Sequence, residues 1–348
     1  MKKTLIALAV LGSIAGVAQA QSNVTIYGKL DQGLRDMSNA NTSTVGTNAD
    51  SKVQLTNRAY SRIGFKGSED LGGGLSAIFQ FENRFLADTG MQFGTALFHA
   101  QSNVGLKGNF GTVRLGRIYN PVDDIGVAMD PFGQDGIGSM QLNALTVTRQ
   151  DNSLRYDSPN FSGFGVQAIY SLKEATVGGV KTAASLNATT GAIIPAVLFT
   201  AAELNDGYGV AVSYANGPIS AAAGWNRKTN TNKSDYWSIG GGYAFGPAKI
   251  TALYEDAKLK NVGPTEVKQK NALIGVAYNI GAGTINASFG RLKSELAGQS
   301  IASKKLAVGY THNLSKRTSL YANAARTDWD RTGVDNTNGA EIGVTHNF

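Results

Sequence analysis

The 348 residues carry 32 Lys and Arg against 25 Asp and Glu, a formal charge of +7, with 43 glycines, 7 prolines and no cysteine. The missing cysteine excludes disulfides, thiolate nucleophiles and thiolate metal sites. The basic excess is spread along the chain without the clustered runs of a nucleic-acid binder, so no nucleic-acid partner is expected.

The chain opens with Met1-Lys2-Lys3, an apolar stretch from Leu5 to Val17, then Ala18-Gln19-Ala20. This is the charged, apolar, small-x-small order of a secretory signal peptide, with cleavage expected after Ala20. The apolar run is about 13 residues, short of the roughly 20 a membrane helix needs, although a retained anchor is the alternative. Residues 1–20 are thus read as a signal and 21–348 as one domain, whose formal charge without Lys2 and Lys3 is +5.

From Val24 onward the dominant pattern has period 2. Val24, Ile26, Gly28 and Leu30 share one face of a strand, with Thr25, Lys29 and Asp31 on the other. Leu75, Ala77, Phe79 and Phe81 alternate with Ser76, Gln80, Glu82 and Arg84. The same rhythm returns at 208–214, 237–245, 272–278 and 342–348 in segments of about ten residues, the length of a tilted membrane-crossing strand. Short turns fall at 69–74, 109–111, 159–163, 216–218, 246–247, 281–283 and 314–317. Long polar connections fall near 35–55, 86–96, 118–151, 173–206, 228–235, 258–269, 293–303 and 328–338. Seven turns and eight loops connect 16 strands. The pattern specifies an all-β, 16-stranded antiparallel transmembrane barrel with short turns on the periplasmic side and long loops outside. The first and last strands must pair, because an open sheet edge in lipid strands backbone polar groups.

Aromatics at strand ends, among them Phe65, Phe79, Phe81, Tyr156, Tyr170, Tyr243, Phe245, Tyr278, Tyr310 and Phe348, fit two interfacial girdles. In a soluble protein the same residues would be core. Arg62 and Lys66 alternate with Ile63 and Phe65, Arg84 is in phase with Glu82, Arg114 lies between Val113 and Leu115, and Arg155 between Leu154 and Tyr156. Facing lipid at the midplane would cost each roughly 2–4 kcal/mol, so together they are expected to form a basic wall in the lumen. Singly, each is equally a solvated surface arginine. The connection from Ile118 to Asp151 carries Asp123, Asp124, Asp130 and Asp135 near its start. Folded inward, it would narrow the lumen and set carboxylates opposite arginines; exposed, it would be a solvated acidic loop. Nothing here is catalytic in pattern: His99, His312 and His346 are isolated, and no metal, nucleophile or phosphate motif is present, so neither an enzyme nor a cofactor is expected. The apolar stretch Ile193 to Phe199 inside the fourth loop has no assigned role.

Val24-Thr25-Ile26-Tyr27-Gly28-Lys29-Leu30-Asp31, the segment Ser61 to Leu75 running on to Glu82, Gly111 to Arg117, Asn152 to Pro159 and the terminal His346-Asn347-Phe348 resemble, collinearly, the general diffusion porins of β-proteobacterial outer membranes. The resemblance implies a homotrimer whose third external loop folds inward as a constriction. It implies passive diffusion of small hydrophilic solutes, often with anion preference. It also implies contacts with outer-membrane lipid and lipopolysaccharide, and the terminal Phe348 as the signal read by the barrel-assembly machinery. By motif, Arg62, Arg84 and Arg155 would supply the basic wall. The stretch after Arg117, with Asp123 and Asp124, would supply the opposing rim. A departure is Asn83-Arg84 after Glu82, where many relatives carry small residues. A channel specific for a sugar, phosphate or small carboxylate would share this fold and location and is the competing expectation.

Overall fold

The computed structural model describes residues 23–38, 53–140, 148–172, 185–186, 193–194, 207–228, 234–262, 265–296, 298–330 and 335–348. The expected signal peptide lies outside these residues, as does most of Ile193 to Phe199; Ile193–Ile194 pair with Ser185–Leu186 in a two-residue ladder. Sixteen long strands form the wall: β1 (Asn23–Ser38), β2 (Ser61–Gly72), β3 (Leu75–Phe85), β4 (Gln101–Gly108), β5 (Gly111–Tyr119), β6 (Arg149–Asp157), β7 (Phe164–Ser171), β8 (Gly207–Asn216), β9 (Ile219–Lys228), β10 (Ser234–Phe245), β11 (Ala248–Val262), β12 (Thr265–Ile280), β13 (Gly283–Leu296), β14 (Gln299–Asn313), β15 (Thr318–Trp329) and β16 (Thr337–Asn347). Among the described residues of the connection from β5 to β6, Pro121–Met129 form a helix, α1. Each strand pairs antiparallel with its chain neighbours, and β1 pairs with both β2 and β16, so the sheet closes.

Closure is made residue by residue. Lys29 to Ser38 of β1 face Asn347 to Asn338, while Asn23 to Lys29 face Ser68 to Arg62. The last residue completes the seam: Gly28 N donates to Phe348 O at 3.0 Å and Phe348 N donates to Gly28 O at 3.1 Å. Gly28 has no side chain because the Phe348 ring lies over it, and a Cβ there would also sit 2.6 Å from the Arg62 carbonyl.

The outer surface is apolar in the expected phase. Val24, Ile26, Leu30 and Leu34 of β1 are exposed, as are Ile274, Phe289, Leu306 and Ile342 farther round, the inverse of a soluble protein. All seven short turns fall where the sequence places them. Two of the long loops do not. Residues expected as loops at 258–269 and 293–303 are largely strand, because β11 to β14 run to 15, 16, 14 and 15 residues and leave connections of only two residues. Polar composition alone predicts loop, but polar residues on a strand that has left the hydrocarbon remain good β-ladder members.

Replacing Gly28 with Val wedges a side chain between Phe348 and the Arg62 carbonyl. The expected cost is about 1–3 kcal/mol of overpacking, read as a lowered midpoint in detergent-solubilised unfolding and a reduced folded fraction on semi-native electrophoresis.

Candidate functional site

The interior is organised by the long connection after β5. Asn120 caps α1 with its side chain accepting from Val122 N at 3.0 Å, and Pro121 occupies the first helical position, where its missing N–H costs nothing. α1 then crosses the lumen and packs on the inner faces of β8 to β11. Val122 meets Tyr236 and Ala257, while Ile125 and Met129 meet Ala211, Leu253 and Leu273, burying apolar side chains worth roughly 1.5–3 kcal/mol each. These inward residues break the rule that the lumen side of a strand is polar.

Glycines make room for the seat. A Cβ on Gly240 would lie 2.6 Å from Met129 Cγ, on Gly275 2.5 Å from Pro131 Cδ, on Gly309 2.8 Å from Phe132 Cε1, and on Gly224 3.1 Å from Ile125 Cδ1. The four sit on β9, β10, β12 and β14 and mark the path of the loop across the wall. Beyond α1 the Asp130 carboxylate accepts from the backbone N–H groups of Phe132 (3.0 Å), Gln134 (3.0 Å) and Met140 (2.8 Å), which folds the next ten residues around it. The far end is tied to the wall by Ile137 N donating to Glu341 Oε1 (3.1 Å), Lys305 Nζ to Ser139 O (2.7 Å) and Gly136 N to Arg58 O (3.0 Å).

Opposite the seat, the inner face of β1 to β6 is basic. Arg62 and Arg84 share one carboxylate, Glu82, at 3.8 and 3.3 Å, and Glu82 is further held by the Tyr27 hydroxyl at 3.1 Å. Arg84 and Arg149 both donate to the Tyr119 hydroxyl, and the Arg149 guanidinium lies 4.3 Å from the centre of that ring. Arg58 lies 4.1 Å from the ring of Tyr321 and Arg84 5.9 Å from that of Tyr60. Among the described residues Arg149 has no carboxylate within ion-pair distance.

A Gram-negative porin signature matches residues 7–332. The chain belongs to that family. Outer membrane porin protein 32 of Delftia acidovorans is 34% identical over 93% of this chain and 89% of that protein. Major outer membrane protein P.IA of Neisseria meningitidis serogroup A is 29% identical over the whole of both chains. Among solved structures, the anion-selective porin from Comamonas acidovorans superposes with a TM-score of 0.74 at 28% identity, covering 94% of this chain and all of that one. This porin is therefore an outer-membrane channel protein and not an enzyme.

The sequence-derived site residues separate into groups. Arg62, Arg84, Lys66 and Lys29 face the lumen, Lys66 over the Tyr27 ring at 5.2 Å and Lys29 3.9 Å from Asp135 of the loop. Arg155 and Arg114 also point inward but are largely neutralised: Arg155 pairs with Asp157 (2.8 Å) and Asp124 (2.9 Å), and Arg114 with Asp157 (2.5 Å). Asp124 therefore stands beside the arginine wall, not across the lumen from it, because α1 begins directly after β5. Asp31 is inward yet fully buried, accepting from Arg58 N (2.7 Å), Tyr321 (3.0 Å) and Thr345 (2.5 Å). Asp130 is turned into its own loop, so it is a folding device and not part of the rim. Arg117 does not belong to the constriction loop: it shares the outward phase of Leu115 at the end of β5, pairs with Asp151 and donates to the His99 carbonyl, fastening the second loop. Arg58, Arg149 and Tyr119 were missed because two lie at loop–strand junctions, where alternation has no phase, and because a lone tyrosine gives no sign of two guanidinium partners.

Asp123, in the first turn of α1, is buried against the wall with Asp124 and Glu255 nearby. Desolvation first, then those like charges, push its carboxyl up to about 7 from an ordinary 3.8. The folded porin thus retains a proton that the unfolded chain gives up, so this group's stabilisation is complete below about pH 4 and is lost as pH rises through 7. Unfolding temperature in detergent is expected to fall between about pH 5 and pH 8 in the wild type and to fall less in Asp123→Asn. Gly240→Val should displace Met129 from the wall, seen as larger or noisier single-channel conductance with the barrel intact.

Proposed function

We propose that this porin is a general diffusion channel with a mild preference for small anions, assembled as a homotrimer. The observation that carries the preference is the unequal fate of the two signs of charge at the constriction. On the loop, Asp130 is consumed by backbone donors, burial pushes the Asp123 carboxyl towards its neutral form, Asp124 is paired to Arg155, and Asp135 faces Lys29. On the wall, Arg62 and Arg84 divide a single carboxylate and Arg149 has none among the described residues. A water-filled constriction bounded by low-dielectric protein focuses that residual positive potential on passing ions. The relative from Comamonas acidovorans is described as anion-selective, which agrees with this reading.

Support for the trimer comes from the second loop. Its Phe98 ring lies 5.2 Å from Phe81 on the outer wall, and Asn83 donates to the Leu97 carbonyl, so the loop is folded over the outside of β3. It presents Met91, Phe93 and Leu97 there, with Met91 64% and Leu97 61% exposed, an apolar surface suited to a neighbouring subunit. Phe348, which seals the seam, serves in this reading as the assembly signal, and residues 1–20 as the export signal.

The three arginines stacked on tyrosine rings favour one competing reading, a channel selective for an anionic solute. Flux of a specific channel saturates with its solute; that of a diffusion porin scales with solute size. Reversal potentials in a salt gradient test the proposal directly: the wild type should favour chloride over potassium. Replacing Arg62, Arg84 and Arg149 together by Gln should lower that ratio several-fold, and cation preference in the wild type would refute it.

A further inference from the structure

Three tyrosine hydroxyls of the barrel interior give their proton to a carboxylate. Tyr27 donates to Glu82 (3.1 Å), Tyr236 to Glu255 (2.6 Å) and Tyr321 to Asp31 (3.0 Å). Tyr119 is built differently. Its oxygen accepts from Arg84 Nη2 and Arg149 Nη2, and a guanidinium carries donors only, so neither partner can take the tyrosine's own proton. Among the described residues that proton meets no acceptor. The Nε–H of Arg149 is likewise buried without a partner. The chain holds this cluster of donors in place. Tyr119 and Arg149 are the last directly opposed pair of β5 and β6, which lays the guanidinium 4.3 Å from the ring centre. Arg155 Nη1 donates to the Tyr119 carbonyl at 2.8 Å, and Glu82 steadies Arg84 through Nε at 3.3 Å. The next residue is Asn120, the cap of α1, so the cluster stands at the root of the constriction loop, and the Arg149 charge reaches Asp123 in the first turn of that helix. Tyr119 itself is only half-buried.

We propose that the Tyr119 hydroxyl, with Arg84 and Arg149, forms a subsite that binds small oxyanions, carboxylates or phosphates, in preference to chloride. The subsite rests on the reading of the arginine wall as the path of anions and goes beyond it, since charge attracts every anion and directed donors rank them. An anion entering the constriction sheds part of its water, and here the replacement donors already stand in fixed positions. Phenolic O–H and planar guanidinium N–H groups match the lone pairs of a carboxylate or phosphate, which can take bonds from the hydroxyl and both guanidiniums at once. Chloride offers one atom where an oxyanion offers two or more, so it feels the same positive charge but engages fewer of the donors. The subsite has to be shallow, because a conducted ion must leave again, and passage stays diffusive below its half-saturating concentration.

The whole folded porin in planar bilayers tests this, with the chloride current followed as potassium acetate or potassium phosphate is added and extra potassium chloride as the control. In the wild type an oxyanion should lower the chloride current saturably. Tyr119→Phe keeps the ring that Arg149 stacks on and removes the O–H, and the half-blocking concentration should rise roughly threefold to tenfold, the loss of one hydrogen bond. A third protein carries 3-fluorotyrosine in place of Tyr119. Ring fluorine makes a phenol a stronger donor and a weaker acceptor, so a hydroxyl that donates to the anion blocks at a lower concentration, and one that merely braces the arginines blocks at a higher one. Block by either oxyanion supports the subsite, and the more potent of the two separates carboxylate from phosphate. No saturable block of the wild type overturns the proposal, and this arm decides even where a variant fails to fold. An unchanged half-blocking concentration in folded Tyr119→Phe overturns it, as does weaker block with the fluorinated ring. A wild type that prefers potassium over chloride yet shows the block and both shifts would refute the anion preference of the pore and keep the subsite.

Discussion

Hydrocarbon offers no partner to a backbone N–H or C=O, and each one left unpaired there costs several kcal/mol. Almost everything in this molecule is downstream of that constraint. A sheet in lipid has to close, so β1 must meet β16. For the same reason Phe348 is bonded through both of its backbone groups to Gly28, and Gly28 is reduced to a hydrogen to let the terminal ring pass. Once the ring is closed, side chains sort by parity, apolar outward and polar inward, and the lumen that results is a consequence of sixteen strands and not a separate design.

An empty lumen of that width discriminates poorly, and the inward fold of the third loop corrects this by violating the parity rule locally. Ala211, Leu253 and Leu273 point inward because α1 lies on them, and Gly224, Gly240, Gly275 and Gly309 trace the path of a backbone that no side chain could share. Inside the barrel there are two surfaces, a dry seat on β8 to β14 and a wet arginine wall on β1 to β6. The loop's first turn bridges them through Asp124 and Arg155. Seating the loop also buries Asp123 beside Glu255, so the contact that narrows the channel strains one carboxyl group while anchoring the rest.

The barrel was legible in the sequence because its two signals are local. Alternation reports a face and glycine–asparagine turns report a strand end; both survive without knowledge of any distant residue, and so all seven turns and the inward phase of Arg62, Arg84 and Arg155 could be read directly. The seat was not legible. Gly240 in an alternating strand looks like any weak position until Met129, more than a hundred residues away, is known to lie on it. Arg149 and Arg58 sit where strands begin or loops end and carry no phase. Hairpin length failed for a related reason, since composition registers the end of the hydrocarbon, and β12 to β14 continue well past it.

The lateral division of charge follows from the same geometry. A strand that crosses the membrane presents one parity to the pore throughout its length, but the opposite parity changes environment at the head groups, from lipid chains to a polar interface. Lys270, Arg291 and Lys293 occupy the parity of Ile274 and Phe289, so the register that makes those residues lipid anchors also forces the cations to point outward once the strand rises. They cannot be reassigned to the lumen without a one-residue slip that would turn the entire apolar face inward. Inner and outer cations are therefore separated by the wall itself, and the ions that pass through the pore respond to Arg62, Arg84 and Arg149 nearly independently of whatever neutralises the outer belt.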